Sequence, residues 1–187
     1  MLIDITWQIT PEVAKSAPQT TDSSLAGHLG THFDVMEEDF PLEYTQRKAI
    51  AFDVSTVTDR DIDLCDIPLE KVERDMFVAF YTGYIEKVPY GSKGYFSSHP
   101  QLSYALIDAL VSKGVSVIGL DFAGVRRGSE HIPTDRRCAK DGTFIVENLC
   151  NLKAVLDNGA VFTANTYPMN FVGITGLPCR VIARTGD

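Results

Sequence analysis

Short apolar runs separated by polar turns dominate this chain. LIDITWQI (2–9), AIAFDVS (49–55), MFVAFYTGY (76–84) and VSVIGLDF (115–122) are rich in β-branched and aromatic residues and read as strands. FIVENL (144–149), AVFTANTY (160–167) and CRVIAR (179–184) add three more near the end. One segment has a different period. QLSYALIDALVSKG (101–114) places apolar residues at 102, 105, 106, 109 and 110, the spacing of an amphipathic helix, with Pro100 fitting its first turn and Gly114 its cap. PEVAKSAPQTTDSS (11–24) reads as a polar loop, and VPYGSKGYFSSHP (88–100) as a loop long enough to cover a site. A strand, a helix and a further strand over 76–122 indicate an α/β class. Because strands outnumber helices, the pattern predicts a mixed, barrel-like central sheet with one long helix rather than a doubly wound fold.

Composition narrows the class. At 187 residues the chain fits one domain, 1–187, with a sizeable core. Lys and Arg number 17 against 25 Asp and Glu, a formal net charge of −8, which argues against a surface that tracks nucleic-acid phosphates. The N-terminus has no basic leader and the longest apolar runs, such as MFVAFY (76–81), are too short for a membrane span, so a cytoplasmic protein is expected. The four cysteines, Cys65, Cys138, Cys150 and Cys179, form no CxxC pair and read mostly as buried thiols of a reducing compartment. GSKG (91–94) lacks the spacing of a phosphate loop, and no GxSxG elbow appears.

The stretch with the most chemistry is HLGTHFDVMEE (28–38). His28, His32 and Asp34 would share one face of a continuous strand. Four residues of strand nevertheless span roughly 13 Å, too far for His28 and His32 to meet on one ion. Gly30 can take conformations closed to other residues and bend the chain between them. Two imidazoles and a carboxylate suit Zn²⁺, Mn²⁺ or Fe²⁺ and leave a position open to water. The spacing alone fits equally well a helix face or a set of hydrogen-bonded polar residues without metal.

HLGTHFD resembles the opening of the signature of the metal-dependent cyclase family, His-x-Gly-Thr-His-x-Asp-x-Pro-x-His, which includes kynurenine formamidases and isatin hydrolases. DITWQI, AIAFDVS, FYTGY, HPQLSYALIDALVSKGVSVIGLDF and FIVENL resemble further elements of that family, in its order and over nearly the whole chain. The resemblance implies the family's swivelling β/β/α fold. It also implies a divalent transition metal, Zn or Mn, one or two per chain, held by His28, His32 and Asp34, with Asp34 as the bridge if two bind. Glu147 matches the later glutamate ligand. The family's other metal histidine, twelve residues earlier, corresponds to Asp135, and His131 lies four residues before that.

The chain departs from the signature at two places: Met36 stands for the proline and Glu38 for the catalytic histidine. A glutamate can serve as general base beside a metal, so Glu38 is the candidate proton carrier; it also belongs to an acidic run with Glu37 and Asp39. Trp7, His99 and Phe96 are candidate substrate contacts, and Arg126, Arg127, Arg136 and Arg137 a basic cluster able to attract a carboxylate. The implied activity is hydrolysis of the C–N bond of an amide or cyclic amide, arylformamidase-like, through a metal-activated water. The implied partners are a small amide substrate and further copies of the chain, as a homodimer or homotetramer, with no nucleic acid and no membrane. A non-catalytic protein that binds metal and a small ligand with the same pocket is the alternative.

Overall fold

The computed structural model describes residues 1–16 and 27–186. Its strands are β1 (Leu2–Asp4), β2 (His32–Asp34), β3 (Gln46–Asp53), β4 (Phe77–Tyr81), β5 (Val117–Leu120), β6 (Phe144–Glu147), β7 (Val161–Pro168) and β8 (Gly176–Arg184). The helices are α1 (Pro11–Ser16), α2 (Tyr84–Lys87), α3 (Lys93–Ser97), α4 (Tyr104–Ser112), α5 (His131–Lys140) and α6 (Leu152–Asp157). The sheet runs β1-β8-β2-β6-β5-β4-β3-β7, and β7 pairs again with β8. That second pairing closes seven strands into a barrel and leaves β1 outside, on β8. Closure removes the edges that an open sheet would expose.

The four strands β3 to β6 run parallel, while β2 and β7 are antiparallel to their neighbours. Parallel strands buried on both faces need continuous apolar runs, and β4 and β5 have them: FVAF and VIGL are buried throughout. One face of the sheet packs Phe33, Phe77, Phe144, Leu149 and Phe162 inside the barrel. The other packs Val78, Phe80, Ile118 and Ile145 against Leu106, Ile107 and Leu110 of α4. Gly119 marks where the barrel is tightest: a Cβ there would lie 2.6 Å from the Phe77 ring and 2.8 Å from Leu149.

Each expected strand and the expected helix has a counterpart, but the extents differ: the strand expected over 2–9 is β1 only at Leu2–Asp4, followed by an isolated bridge at Thr6. The segment 11–24 includes α1 over its first residues, and 17–24 lies outside the described residues. The expected loop at 88–100 contains α3, capped by Ser92, whose Oγ accepts from the Tyr95 amide. The long helix starts later than expected, at Tyr104. Ser103 caps it by accepting from Leu106 N, so Pro100 lies outside its first turn, whereas Gly114, at φ +72°, follows its end as foreseen. It is also not the only long helix: α5, with ten residues, exceeds the nine of α4. Cys65 is exposed rather than buried. No helix among the described residues is long and apolar enough to cross a membrane.

Gly119→Ala is expected to destabilise the fold by about 1–3 kcal/mol through overpacking against Phe77 and Leu149, read as a lower denaturation midpoint with an unchanged slope.

Candidate metal centre

Because β3 to β6 are parallel, their C-terminal ends meet at one rim of the barrel. There β6 ends in Glu147 and β5 is followed by Asp121. β2 runs the other way, so its first residue, His32, stands directly opposite Glu147. Alternation along β2 sends His32 and Asp34 to one side and Phe33 into the core. Gly30 takes φ +71°, and a Cβ there would meet Ile9 Cδ1 at 2.6 Å. The bend folds His28 back, so that its Nδ1 lies 3.1 Å from His32 Nε2 and 3.1 Å from Asp34 Oδ1.

The other side comes from α5. Residues 131 and 135 share one face of that helix, one turn apart. His131 Nε2 lies 2.9 Å from Asp135 Oδ2, 3.0 Å from Glu147 Oε1 and 3.9 Å from Asp34 Oδ2. Two overlapping groups result, His28–His32–Asp34 and Asp34–His131–Asp135–Glu147, in each of which the ligand atoms all lie within 4.8 Å of one another. Asp34 belongs to both.

Three carboxyl groups are thereby buried together, since Asp34, Asp135 and Glu147 are at most 3% exposed. Two unit negative charges at 4.8 Å repel by about 3.5 kcal/mol even at an effective dielectric constant of 20. The oxygens of Asp34 and Asp135 receive no backbone, hydroxyl or amide donor among the described residues, and their close partners are imidazole nitrogens alone. Sealed carboxylates whose close partners are imidazoles alone need positive charge, and the donor set fits a divalent metal.

Without metal, protons fill that role. Burial lowers the His32 pKa, but the Asp34 and Glu147 carboxylates outweigh it and push it up to about 9. Burial opposes protonation of His131 as well, and its three carboxylate neighbours hold its pKa well above the ordinary range. Asp135 is pushed up to about 8 by burial and by the charges of Asp34 and Glu147. Asp34 goes the other way: burial raises its pKa, but the three surrounding imidazoles hold it well below the usual carboxylate range.

Neighbouring groups fix the donors in place. His32 Nδ1 donates to the Gly30 carbonyl at 2.8 Å, which turns Nε2 toward the carboxylates. Asn148 Nδ2 donates to the same carbonyl, its own carbonyl accepts from Thr31 Oγ1, and its Oδ1 accepts from the Tyr95 hydroxyl. The Tyr90 hydroxyl accepts from Gly30 N at 2.7 Å. Thr175 Oγ1 meets His28 Nε2 at 2.9 Å, and a Cβ on Gly176 would clash with that ring at 2.7 Å.

All five residues expected to hold metal, His28, His32, Asp34, Asp135 and Glu147, therefore come together. His131, noted in the sequence only for lying four residues before Asp135, stands beside Asp135 in the same group. Glu38 does not join them. The positive φ values of Met36 (50°) and Glu37 (74°) turn the chain away after β2, and Glu38 is exposed, without a side-chain hydrogen bond or ion pair among the described residues. Trp7 borders the site: its backbone N donates to Thr31 Oγ1 and its ring packs on Tyr90 at 5.7 Å. Phe96, half exposed on α3, also meets Tyr90. His99 is buried elsewhere on the rim, stacked on Phe122. Half of the basic cluster is spent, because Arg126 binds Asp61 and Glu130 and Arg137 binds Asp108.

Several known structures share this architecture. One, described as a potential metal-dependent hydrolase with cyclase activity, aligns over 100% of this chain and 98% of its own at 22% identity, with a TM-score of 0.76. Isatin hydrolase A from Labrenzia aggregata, bound to benzyl benzoate, aligns over 100% of this chain and 94% of its own (18% identity, TM-score 0.75). An isatin hydrolase bound to the product analogue thioisatinate aligns over 97% and 91% (19% identity, TM-score 0.73). No sequence among curated proteins matches the chain. The family model described as Putative cyclase matches residues 3–126, two thirds of the length, and the chain belongs to that cyclase family.

Proposed function

We propose that this chain is a metal-dependent hydrolase that cleaves the C–N bond of an amide or cyclic amide, of the arylformamidase kind. The observation that carries the reading is the convergence of three buried carboxyl groups, Asp34, Asp135 and Glu147, on three imidazoles, with no other donor to Asp34 or Asp135 among the described residues. Zn²⁺ or Mn²⁺, one or two ions per chain, would be held by His28, His32 and Asp34 and by Asp34, His131, Asp135 and Glu147. The carboxylate-rich second group favours the harder Mn²⁺. When bound, the metal supplies a Lewis acid for the amide carbonyl and lowers the pKa of nearby water. The isatin hydrolases of similar fold act, by their name, on isatin, a cyclic amide.

The chain's own groups do the rest. His131 is one-third exposed while Asp135 beneath it is sealed, so in the metal-free protein the pair Asp135 Oδ2–His131 Nε2 links the cluster to solvent. Glu38, expected to carry the proton, does not reach the cluster, because the turn at 36–37 carries it outside. Trp7, Tyr90 and Phe96 form an aromatic wall suited to an aryl amide. The exposure of Glu38 also favours a second reading, in which the same pocket binds metal and a small ligand without turning it over.

Elemental analysis of protein purified without chelators is expected to find about one or two transition-metal ions per chain, as the resemblance implies. His32→Ala should bind metal at least tenfold more weakly, and Asp34→Asn should deplete both positions, since Asp34 belongs to both groups. The metal-loaded protein should hydrolyse isatin or formanilide. Metal retained without turnover of any amide would favour the ligand-binding reading; absence of metal binding, even with Zn²⁺ or Mn²⁺ supplied, would end both.

The raised pKa values of His32, His131 and Asp135 mean that the folded, metal-free protein holds more protons near neutrality than the unfolded chain. Its stability should therefore fall as pH rises from 6 through 9. Metal must displace those protons, so its affinity should rise over the same window and added metal should abolish the loss of stability. Calorimetry in buffers of different ionisation enthalpy should show about one or more protons released per chain at pH 7; metal uptake without proton release would contradict the assigned ligands.

A further inference from the structure

The rim that carries the metal centre continues past β5 to the ends of β3 and β4, and there it opens into a groove of about 430 Å³. Thr82 and Tyr84, just beyond β4, line it together with Lys87, His99 and Arg127. Crevices at the carboxyl ends of parallel strands are where open α/β sheets hold their ligands, and the size is that of a small-molecule site. No residue of the metal cluster lines this groove.

Its charges are unevenly spent. Asp61 is taken by Arg126 at 2.6 Å and by Gln101 at 3.3 Å, and Arg60 is taken by Asp66 at 2.6 Å. Arg127 is different. Its backbone N donates to Gln101 Oε1, but its guanidinium has no hydrogen bond or ion pair among the described residues. Its charge acts on Tyr84 and His99, which places it over the groove. Lys87 Nζ reaches only the Thr82 carbonyl, at 3.3 Å. Gly83 makes room for it, since a Cβ there would meet Nζ at 3.3 Å. Asp59 is the one lining acid without a partner among the described residues, and it stands exposed at the rim.

His99 supplies a complementary group. Its Nδ1 donates to the Pro100 carbonyl at 2.7 Å and its ring stacks on Phe122 at 5.6 Å. Burial, reinforced by the charges of His131 and Arg127, lowers its pKa to about 4 against the pull of that carbonyl, so it is neutral. With Nδ1 committed, Nε2 is an acceptor, and it has no hydrogen-bond partner among the described residues.

We propose that this groove binds a small organic acid, its carboxylate on Arg127 with Lys87 in support, and a neighbouring N–H or O–H of the same ligand donated to His99 Nε2. Two sources share that chemistry: the acidic end of the amide substrate, which rests on the hydrolase reading, or a separate acid that binds whether or not the protein is a hydrolase. A guanidinium forks onto a carboxylate with two parallel hydrogen bonds, which explains why an arginine left unpaired suits this role better than a lysine.

The test uses 2-aminobenzoate, which carries a carboxylate beside an N–H donor, titrated calorimetrically into the protein with and without metal. Aniline is the probe without the acid, and Arg136→Gln the control for an exposed arginine outside the groove. Binding of 2-aminobenzoate but not aniline is expected. It should weaken about tenfold or more in Arg127→Gln, partly recover in Arg127→Lys, and not change in Arg136→Gln. Thermal unfolding of the variants confirms that each is folded. Retained affinity in folded Arg127→Gln, or no binding to the wild type, would overturn the proposal. If the metal-loaded protein hydrolyses both formanilide and 2-formamidobenzoate, a KM rise in Arg127→Gln for the acid alone assigns the groove to the substrate. Arg127-dependent binding with both KM values unmoved assigns it to a separate acid. If neither amide is hydrolysed, the hydrolase reading fails, while the titration still decides the groove.

Discussion

Three carboxyl groups that cannot all be charged at once lie at the base of this structure. Asp34, Asp135 and Glu147 are buried at one rim of the barrel within reach of one another, and a fold that placed them there without counter-charge would pay several kcal/mol for the repulsion alone. The imidazoles of His32 and His131, protonated or coordinated to metal, help make the arrangement tolerable. The site's strength as a ligand set and its cost to the metal-free fold are therefore the same quantity seen from two sides.

The barrel makes this concentration of charge possible by precise register. His32 and Glu147 face each other because β2 and β6 pair at that step, and a slip of one residue would turn His32 and Asp34 into the core and Phe33 into the cluster. Behind the donors, Gly30 is held by three polar groups at once: Tyr90 on its N–H, and His32 and Asn148 on its carbonyl. A bend that only glycine adopts comfortably is thus locked by side chains from distant parts of the sequence.

Much of this was legible beforehand, for identifiable reasons. Strands with continuous apolar runs, such as FVAF, announce themselves, and the glycine between two histidines had one sensible use. Helix α5 was not legible: HIPTDRRCAK has few apolar residues and a proline in its first turn, and its buried face is made of Thr134, Asp135, Cys138 and Ala139 rather than an apolar stripe. Yet that helix decides the second half of the site, by setting His131 and Asp135 one turn apart. Had the segment been read as a helix, the pairing of 131 with 135 would have followed. Position 38 misled for the opposite reason. A motif fixes residue order but not backbone direction, and the two left-handed residues at 36 and 37 carry Glu38 out of the cluster. Thr175 and Asn148 gave no sequence signal, because their roles depend on contacts across more than a hundred residues.

Strand β8 pairs with β1, β2 and β7, so it both closes the barrel and flanks the metal cluster. A ribosome delivers the chain in order, and residues 28 to 34 exist long before β8 does. Until the segment through residue 184 has emerged, β2 lacks one of its two neighbours and His28 lacks its Thr175 partner. The nascent chain therefore passes through a stage in which two histidines and an aspartate are already made but still unfixed. The geometry of the candidate ligand set is therefore complete only after the last strand has locked into place.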